Sequence, residues 1–247
     1  MKKSKELYAV VGRNISHSFS PDYFNNKFRE ENLNAEFILL DISSIDELPS
    51  VIKSTPHLKG FSVTIPYKQE MIKLLSRLDP VAGETGAVNC VKITDSGMSG
   101  YNTDTTGFVA SLKPLLNNKK NLKALILGTG GASRAAAWGL NRLSIPYLHV
   151  SRNKSADTIL YNDLNEEIIK NHCLIINTTP LGMFPDIDAA PDIPYEYLNN
   201  KHILFDLVYN PEETLFLKKG KEKGALIKNG LEMLHIQAEA AWKIWQK

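Results

Sequence analysis

A glycine-rich turn between an apolar strand and an Ala-rich helix constrains this chain more than any other feature. Gly128-Thr129-Gly130-Gly131-Ala132-Ser133-Arg134 directly follows Leu122-Lys123-Ala124-Leu125-Ile126-Leu127 and opens a helical pattern. Strand, tight turn and helix together let backbone N–H groups meet a pyrophosphate at a helix N-terminus. Gly128 and Gly130 hold the first two glycine positions of G-x-G-x-x-G, and Ser133 holds the third with a side chain still small enough for close helix–strand packing. A purely structural glycine turn is the competing reading; the strand before and the helix after favour dinucleotide binding.

The next strand refines the cofactor. In NAD-binding units an acid about 20 residues beyond the glycines takes the ribose 2′-hydroxyl. This chain offers Ser151-Arg152-Asn153-Lys154 there instead. A guanidinium suits a 2′-phosphate and leaves NAD without its acidic partner, so the expected cofactor is NADP, against the alternative of an ordinary exposed basic loop.

The turn begins past the middle of the 247 residues, a length that allows one large domain or two modest ones. A second half committed to a dinucleotide leaves the first half to hold what the dinucleotide reacts with. A net charge of +2, with Lys and Arg spread along the chain, argues against nucleic acid or a membrane surface as partner. Cys90 and Cys173 stand far apart without metal-ligand spacing, and no His/Cys/Asp cluster offers a metal site. They read as reduced thiols of a cytoplasmic protein. The N-terminus starts with basic residues, but its only apolar run, Leu7 to Val11, is too short for a signal peptide and suits a first strand. No segment is long and apolar enough to span a bilayer.

Along the first half, strands are expected at Leu7–Gly12, Glu36–Ile42 and Gly60–Ile65. Ser20-Pro21-Asp22 reads as a helix start with Ser20 at the N-cap and Pro21 at the first helical position. Ser44-Ile45-Asp46-Glu47 fits a capping box. Pro66 is expected to start a helix carrying Met71, Ile72, Leu74 and Leu75. Asp95-Ser96-Gly97 between Ala87–Thr94 and Met98–Thr103 signals a hairpin. The sum is an α/β domain with a mixed sheet. After a short helix bearing Phe108 and Leu112, the polar run Asn117-Asn118-Lys119-Lys120-Asn121 is the best linker. Beyond it the glycine unit and strands at Tyr147–Val150, Cys173–Asn177, His202–Val208 and Ala225–Lys228 give a Rossmann-like, doubly wound parallel sheet. A final helix from Leu231 carries Leu234, Ala238 and Ala241 on one side.

Polar residues gather at the expected strand ends of the first half. Ser16-His17-Ser18-Phe19-Ser20-Pro21 sets hydroxyls before a helix, a seat for a carboxylate or simply a cap. Lys68, expected in the first turn of the Pro66 helix, would face an unfavourable dipole, which suits a lysine whose proton moves; the plain alternative is a solvated surface lysine. Gly86-Ala87-Val88-Asn89 and Gly100-Tyr101-Asn102-Thr103-Asp104 put an amide and a carboxylate at ends of the hairpin, where turn chemistry alone could also use them.

Taken in order, His17-Ser18-x-Ser20-Pro21, Val63-Thr64-x-Pro66-x-Lys68, Gly86-Ala87-Val88-Asn89, Asn102-Thr103-Asp104, the glycine turn, Asp206-Leu207-Val208-Tyr209 and Gly230-Leu231-x-Met233-Leu234-x-x-Gln237 resemble the NADP-dependent shikimate dehydrogenase family over nearly the whole chain. The resemblance implies two domains with the active site in the cleft between them: residues 1–104 plus 231–247 for substrate, residues 105–230 for NADP. It implies reversible NADPH-dependent reduction of 3-dehydroshikimate to shikimate, in aromatic amino-acid biosynthesis. By position, Lys68 and Asp104 would form the catalytic pair and also touch substrate. Ser18, Ser20 and Tyr209 would hold the substrate carboxylate, and Thr64, Asn89 and Gln237 its ring hydroxyls. The cofactor would meet Gly128, Thr129, Gly130, Gly131, Ala132, Ser151, Arg152, Asn177, Thr178, Thr179, Met183, Val208 and Gly230. The partners implied are the small-molecule substrate and, at most, a second copy in a homodimer.

Three positions depart from the family pattern. Ser62 stands where Asn is usual, Cys90 where Thr or Ser is usual, and the Asn-Arg-Thr cofactor motif appears as Ser151-Arg152-Asn153. The charge partner survives, so NADP stays the expectation. Competing functions are a quinate/shikimate dehydrogenase with relaxed NAD/NADP use, a non-catalytic metabolite sensor, and a methylene-tetrahydrofolate type of NADP dehydrogenase. The presence of both Lys68 and Asp104 argues against a sensor, and paired serines suit a small carboxylate better than a pterin.

Overall fold

Alternating side chains on the strands build two separate sheets, each covered on both faces. The computed structural model describes residues 4–116, 119 and 121–247; positions 117, 118 and 120 of the expected linker, and the basic N-terminal positions 2 and 3, lie outside the described residues. The chain divides into two compact units, Met1–Thr103 with Ala238–Lys247, and Asp104–Gln237.

The first unit contains β1 (Glu6–Gly12), α1 (Ser20–Glu30), β2 (Ala35–Asp41), α2 (Leu48–Ser54), β3 (Leu58–Val63), β4 (Arg77–Leu78), α3 (Pro80–Thr85), β5 (Cys90–Thr94) and β6 (Gly97–Tyr101). Its sheet has the order β2-β1-β3-β5-β6-β4. β1 runs parallel to β2 and β3, whereas β5 is antiparallel to β3 and β6, which makes the sheet mixed as expected. On β1, Ala9 and Val11 face a core with Phe61, Tyr67 and Met71; Tyr8 and Val10 face the other way, into an aromatic core with Phe24, Phe28, Phe37 and Trp245. The period of two in the sequence thus feeds both faces. The Trp245 indole donates to the Val91 carbonyl at 3.0 Å. A Cβ at Gly60 would collide with that ring, so the glycine is what admits the indole to the sheet.

Two local expectations need correction. Ser20 is not the N-cap of α1: Phe19 holds that place in α-helical geometry (φ −65°, ψ −33°) without a side-chain cap, and Pro21 follows one residue later in the first turn than expected. The helix expected from Pro66 is also absent. Residues 65–69 form turns, and only a 3-10 helix, Glu70–Leu74, follows. The backbone bonds explain this: the Lys68 carbonyl accepts the Val88 N–H at 2.7 Å, drawing the segment toward β5. The Tyr67 hydroxyl is tied to the Ile42 carbonyl at 2.7 Å. Lys68 therefore sits in a turn, and the helix-dipole argument for its proton does not apply. The Ser44 capping box does form, on a 3-10 turn at Ile45–Glu47.

The second unit contains α4 (Asp104–Leu116), β7 (Ala124–Leu127), α5 (Gly131–Arg142), β8 (Tyr147–Ser151), β9 (Thr158–Leu160), α6 (Glu166–Asn171), β10 (Leu174–Asn177), β11 (Ile203–Asp206), α7 (Leu215–Glu222), β12 (Leu226–Lys228) and α8 (Leu231–Gln246), whose last turns belong to the first unit. Its sheet has the order β12-β11-β10-β7-β8-β9, parallel throughout. Ala124 and Ile126 of β7, Leu174 and Ile176 of β10, and Ile203 and Phe205 of β11 enter one core; Leu125, Leu127, Ile175 and Leu204 enter the other. Continuous apolar runs are what a parallel sheet buried on both faces requires. Phe108 of α4 stacks on Phe205 with ring centroids 5.6 Å apart. The expected strands are all present with ends that differ by up to three residues; β4, β9, α3, α6 and α7 had not been read from the pattern.

Candidate active site

In the second unit the strand order turns outward from β7, with β8 on one side and β10 on the other. The crevice at such a switch point, past the carboxyl ends of the strands, is where this architecture takes ligands. The glycine turn leaves β7 there. Gly128 has φ +110°, a left-handed conformation that side chains avoid, and a Cβ on it would lie 2.8 Å from Thr178 Oγ1 and 3.1 Å from Thr179 Cγ2. The turn thus abuts the segment leaving β10, fifty residues later. Gly130 is the N-cap of α5, and a Cβ there would meet nothing within 4 Å. An open face over the first turn of a helix, with Gly131 and Ala132 presenting N–H groups, is a cradle for a pyrophosphate. Ser133 is buried and its Oγ donates to the Gly130 carbonyl at 2.6 Å, which fixes the turn's exit. Thr129 is exposed on the turn.

The loop after β8 lies next to this cradle. Gly128 N–H donates to the Val150 carbonyl at 2.9 Å, and Ser151 and Arg152 come immediately after. Ser151 is half-buried and its Oγ accepts the Asn153 N–H at 3.2 Å. Arg152 is exposed, and no ion pair engages it among the described residues. Its charge is felt by Tyr161, whose phenol burial pushes up to about 12 while the guanidinium pulls it back. A cation beside the glycine turn, spoken for by no carboxylate, fits a 2′-phosphate.

The ends of β10 and β11 are joined by buried polar groups. Asn177 and Asp206 are fully buried. Asn177 Nδ2 donates to Asp206 Oδ1 at 3.0 Å, and Asn177 Oδ1 accepts from the Thr179 N–H and hydroxyl at 3.0 and 2.7 Å. Thr178 Oγ1 donates to the Leu127 carbonyl at 2.6 Å. Asp206 also accepts from the Val208 N–H at 3.0 Å and from Thr214 Oγ1 at 2.6 Å. Burial pushes its carboxyl up to about 6 against these three hydrogen bonds, which favour the charged form. Val208 is buried, and its carbonyl accepts the Gly230 N–H at 3.0 Å. A Cβ at Gly230 would collide with the Leu207 carbonyl, so only glycine fits this crossing. Met183 is 41% exposed, Tyr209 half-buried just past β11, and Gln237 half-buried on α8 beside Gly107 of α4. Asp104 is buried as the first residue of α4.

In the first unit the loops after β1, β2 and β3 share one end of the sheet. Asp41, closing β2, accepts the Asn14 and Ile15 N–H groups at 2.9 and 3.1 Å, and the Ser18 N–H donates to the Ile15 carbonyl at 2.9 Å. Ser18 and Ser20 are half-buried there, before and in the first turn of α1. Thr64 N–H donates to the Val11 carbonyl at 2.9 Å, and a Cβ at Gly12 would press on the Thr64 methyl. Lys68 is half-buried in its turn. Asn89 is buried before β5, and its carbonyl accepts the Val63 N–H at 2.8 Å. The structure therefore brings Ser18, Ser20, Thr64, Lys68 and Asn89 to one end of one sheet.

The bonds that aim Asn89 had no sequence signal of their own. Asn89 Nδ2 donates to Thr103 Oγ1 at 2.9 Å, and its Oδ1 accepts the Thr103 N–H at 2.6 Å. Asn102 Nδ2 donates to Thr85 Oγ1 and the Ala87 carbonyl at 3.1 and 2.9 Å. Asn102 and Thr103 had been noted only as part of a motif, and Thr85 not at all. Among the described residues no group of three or more His, Cys, Asp or Glu could hold a metal ion, and no helix is long and apolar enough to cross a membrane.

Known proteins resemble this chain over nearly its whole length. Residues 10–91 match the model of a family described as the shikimate dehydrogenase substrate binding domain. A shikimate dehydrogenase (NADP(+)) of Methanococcus aeolicus is 36% identical over 97% of this chain and 91% of its own. The crystal structure of shikimate dehydrogenase from Aquifex aeolicus matches with a TM-score of 0.87 at 35% identity, covering 99% of this chain and 94% of that one. That of the Thermus thermophilus shikimate 5-dehydrogenase, solved with NADP(H) and shikimate, matches with a TM-score of 0.85 at 29% identity, covering 97% and 93%.

Proposed function

This chain belongs to the NADP-dependent shikimate dehydrogenase family, and from that premise we propose how its residues carry out the reversible NADPH-dependent reduction of 3-dehydroshikimate to shikimate, a step of aromatic amino-acid biosynthesis. A likeness that covers both halves of the chain carries this reading. In this reading residues 1–104 with 231–247 hold substrate and residues 105–230 hold NADP.

The residues fit the cofactor. The open face at Gly130 and the first N–H groups of α5 would take the pyrophosphate, with Gly128, Thr129, Gly131 and Ala132 shaping the turn. Arg152 and Ser151 would take the 2′-phosphate. Asn177, Thr178, Thr179, Met183, Val208 and Gly230 would line the path beyond. NADPH, when bound, supplies the hydride for the ketone carbon.

The side chains handle the rest. Ser18, Ser20 and Tyr209 bind the substrate carboxylate; Thr64, Asn89 and Gln237 orient the ring through its hydroxyls. Lys68 Nζ gives a proton to the ketone oxygen as negative charge grows on it, and takes it back in the reverse direction. The Asp104 carboxylate orients the ammonium toward that oxygen. With the helix-dipole argument withdrawn, the support for Lys68 is its place beside Thr64 and Asn89 at one strand end, together with the family resemblance. Two cysteines outside any disulfide suit the cytoplasm.

The reading is tested by following NADPH formation from shikimate and NADP+, with quinate and NAD+ in parallel. Shikimate with NADP+ should be the fastest combination. Faster turnover of quinate with NAD+ would replace this function with the paralogue's.

A further inference from the structure

We propose that Asp206 is a positioning residue for the cofactor: its buried carboxylate sets the orientation of the loops leaving β10 and β11, which carry Asn177, Thr179 and Val208. The inference rests on the reading of those loops as NADP contacts. No role above uses this acid, yet it is fully buried and joins three segments. Oδ1 accepts from Asn177 Nδ2 and from the Val208 N–H, both at 3.0 Å, and Oδ2 accepts from Thr214 Oγ1 at 2.6 Å.

The physical argument is one of polarity. A primary amide can be turned end for end with little change of shape, so the partner decides which way it points. A carboxylate only accepts. Facing Asp206, Asn177 must present its Nδ2 and send its Oδ1 the other way, where that oxygen accepts the N–H and hydroxyl of Thr179. The Thr179 hydroxyl hydrogen is thereby committed inward, and its oxygen accepts the Leu181 N–H at 3.3 Å. On the other side, the Val208 N–H is held by Asp206, and its carbonyl receives Gly230. Thr214 also caps α7 through the Leu217 N–H, so the start of that helix is tied to the same acid. One acceptor thus fixes the direction of a hydrogen-bond chain that ends on the side chains nearest the glycine turn.

Asparagine at this position can reproduce the pattern. Its Oδ1 accepts from Asn177 and Val208, and its Nδ2 donates to Thr214 Oγ1, which has a lone pair to spare beside Leu217. Alanine cannot. The test compares Asp206→Ala, Asp206→Asn, Thr214→Val and Thr179→Val for NADP+ and shikimate KM, kcat, and NADPH Kd from nicotinamide fluorescence. Asp206→Ala should raise the NADP+ KM and NADPH Kd by about tenfold or more while the shikimate KM moves less than about twofold. Asp206→Asn should recover most of that loss. Thr214→Val, which frees Oδ2 and removes the cap on the Leu217 N–H but leaves the carboxylate in place, keeps the test open if the alanine variant does not fold and should raise the NADP+ KM by about threefold. Equal rises in both KM values, or an Asn variant as weak as the Ala variant, would overturn the proposal. If Thr179→Val binds NADPH normally, the loop assignment beneath it fails; if Thr179→Val weakens NADPH and neither the Asp206 nor the Thr214 variants do, the positioning role alone fails.

Discussion

The polar strand ends of the two sheets, one in each unit, are made of different materials. In the second unit the cradle is backbone: a left-handed Gly128, an unobstructed Gly130 and the first N–H groups of α5. In the first unit the cluster is side chains: Ser18 and Ser20 from the junction of β1 with α1, Thr64 and Lys68 from the turn after β3, and Asn89 from the residue before β5. A backbone site is specified by where glycines fall relative to a strand and a helix, and it tolerates any side chain that stays out of the way. A side-chain site is specified by identity at each position and by whatever aims each group. The first kind binds a feature common to many ligands; the second decides which ligand reacts.

The largest expected effect breaks the comparison at its chemical end. Lys68→Ala should lower kcat about 10²-fold or more, the usual scale for a positioned proton donor, with shikimate still bound measurably. Turnover near normal would remove Lys68 from the catalytic role and leave the side-chain cluster a binding surface only.

Next in size is the one place where the backbone cradle relies on a side chain. Arg152→Ala should weaken NADP+ by about 10- to 100-fold, from loss of a hydrogen-bonded charge pair, while NAD+ changes little. Steady-state KM values for the two cofactors read this directly. Equal losses for both would mean that Arg152 does not meet the 2′-phosphate.

This division also explains what could be read from residues alone. The doubly wound sheet was legible because β7, β10 and β11 are continuous apolar runs placed after turns, and the cradle because glycine spacing has a direct backbone meaning. Ser151-Arg152 was legible because register carries it to the neighbouring strand. In the first unit the same reasoning misplaced Lys68 on a helix. The pattern from Pro66 to Leu75 does suit a helix, but the Lys68 carbonyl goes to Val88, a partner that no local rule identifies. Thr85 went unread, and Thr103 and Asp206 entered only as members of motifs, for the same reason: their importance lies in bonds to residues 14 to 29 positions away in the chain. Only the family resemblance pointed to the cluster as a whole.

A third prediction uses the buried acid to sharpen the contrast thermodynamically. Asp206 has its carboxyl raised from 3.8 to about 6 by burial. Between those values the folded chain holds a proton that the unfolded chain releases, so stability falls as pH rises through about 6, and the contribution is fully present only below about 4. The Tyr195 phenol, pushed up by its own burial first and by the Asp206 charge second, stays neutral across this window. Asp206→Asn removes the titration. From pH 4.5 to pH 7.5 its stability relative to the parent should therefore rise by about 2 kcal/mol, since about one and a half of the two pH units of separation lie above pH 4.5 and each is worth about 1.4 kcal/mol. Denaturant midpoints at the two pH values measure it, and a difference that stays flat would show that the acid is charged throughout.

The smallest effect tests whether the side-chain cluster is aimed as tightly as the cradle. Thr103→Val keeps shape and removes one hydroxyl. Asn89 Nδ2 then loses its acceptor at 2.9 Å, while Asn89 Oδ1 keeps the Thr103 N–H. The amide stays in place without that buried bond, a loss of about 1 kcal/mol or somewhat more. Denaturation should show that loss. Kinetics should show a rise of a few-fold in the shikimate KM with the NADP+ KM unchanged, because the disturbed amide belongs to the side-chain end only. This is the opposite KM pattern to that of Asp206→Ala. If Thr103→Val disturbed the NADP+ KM instead, the two ends could not be treated as separately built, and the aiming of Asn89 would have to be counted as part of the cofactor site.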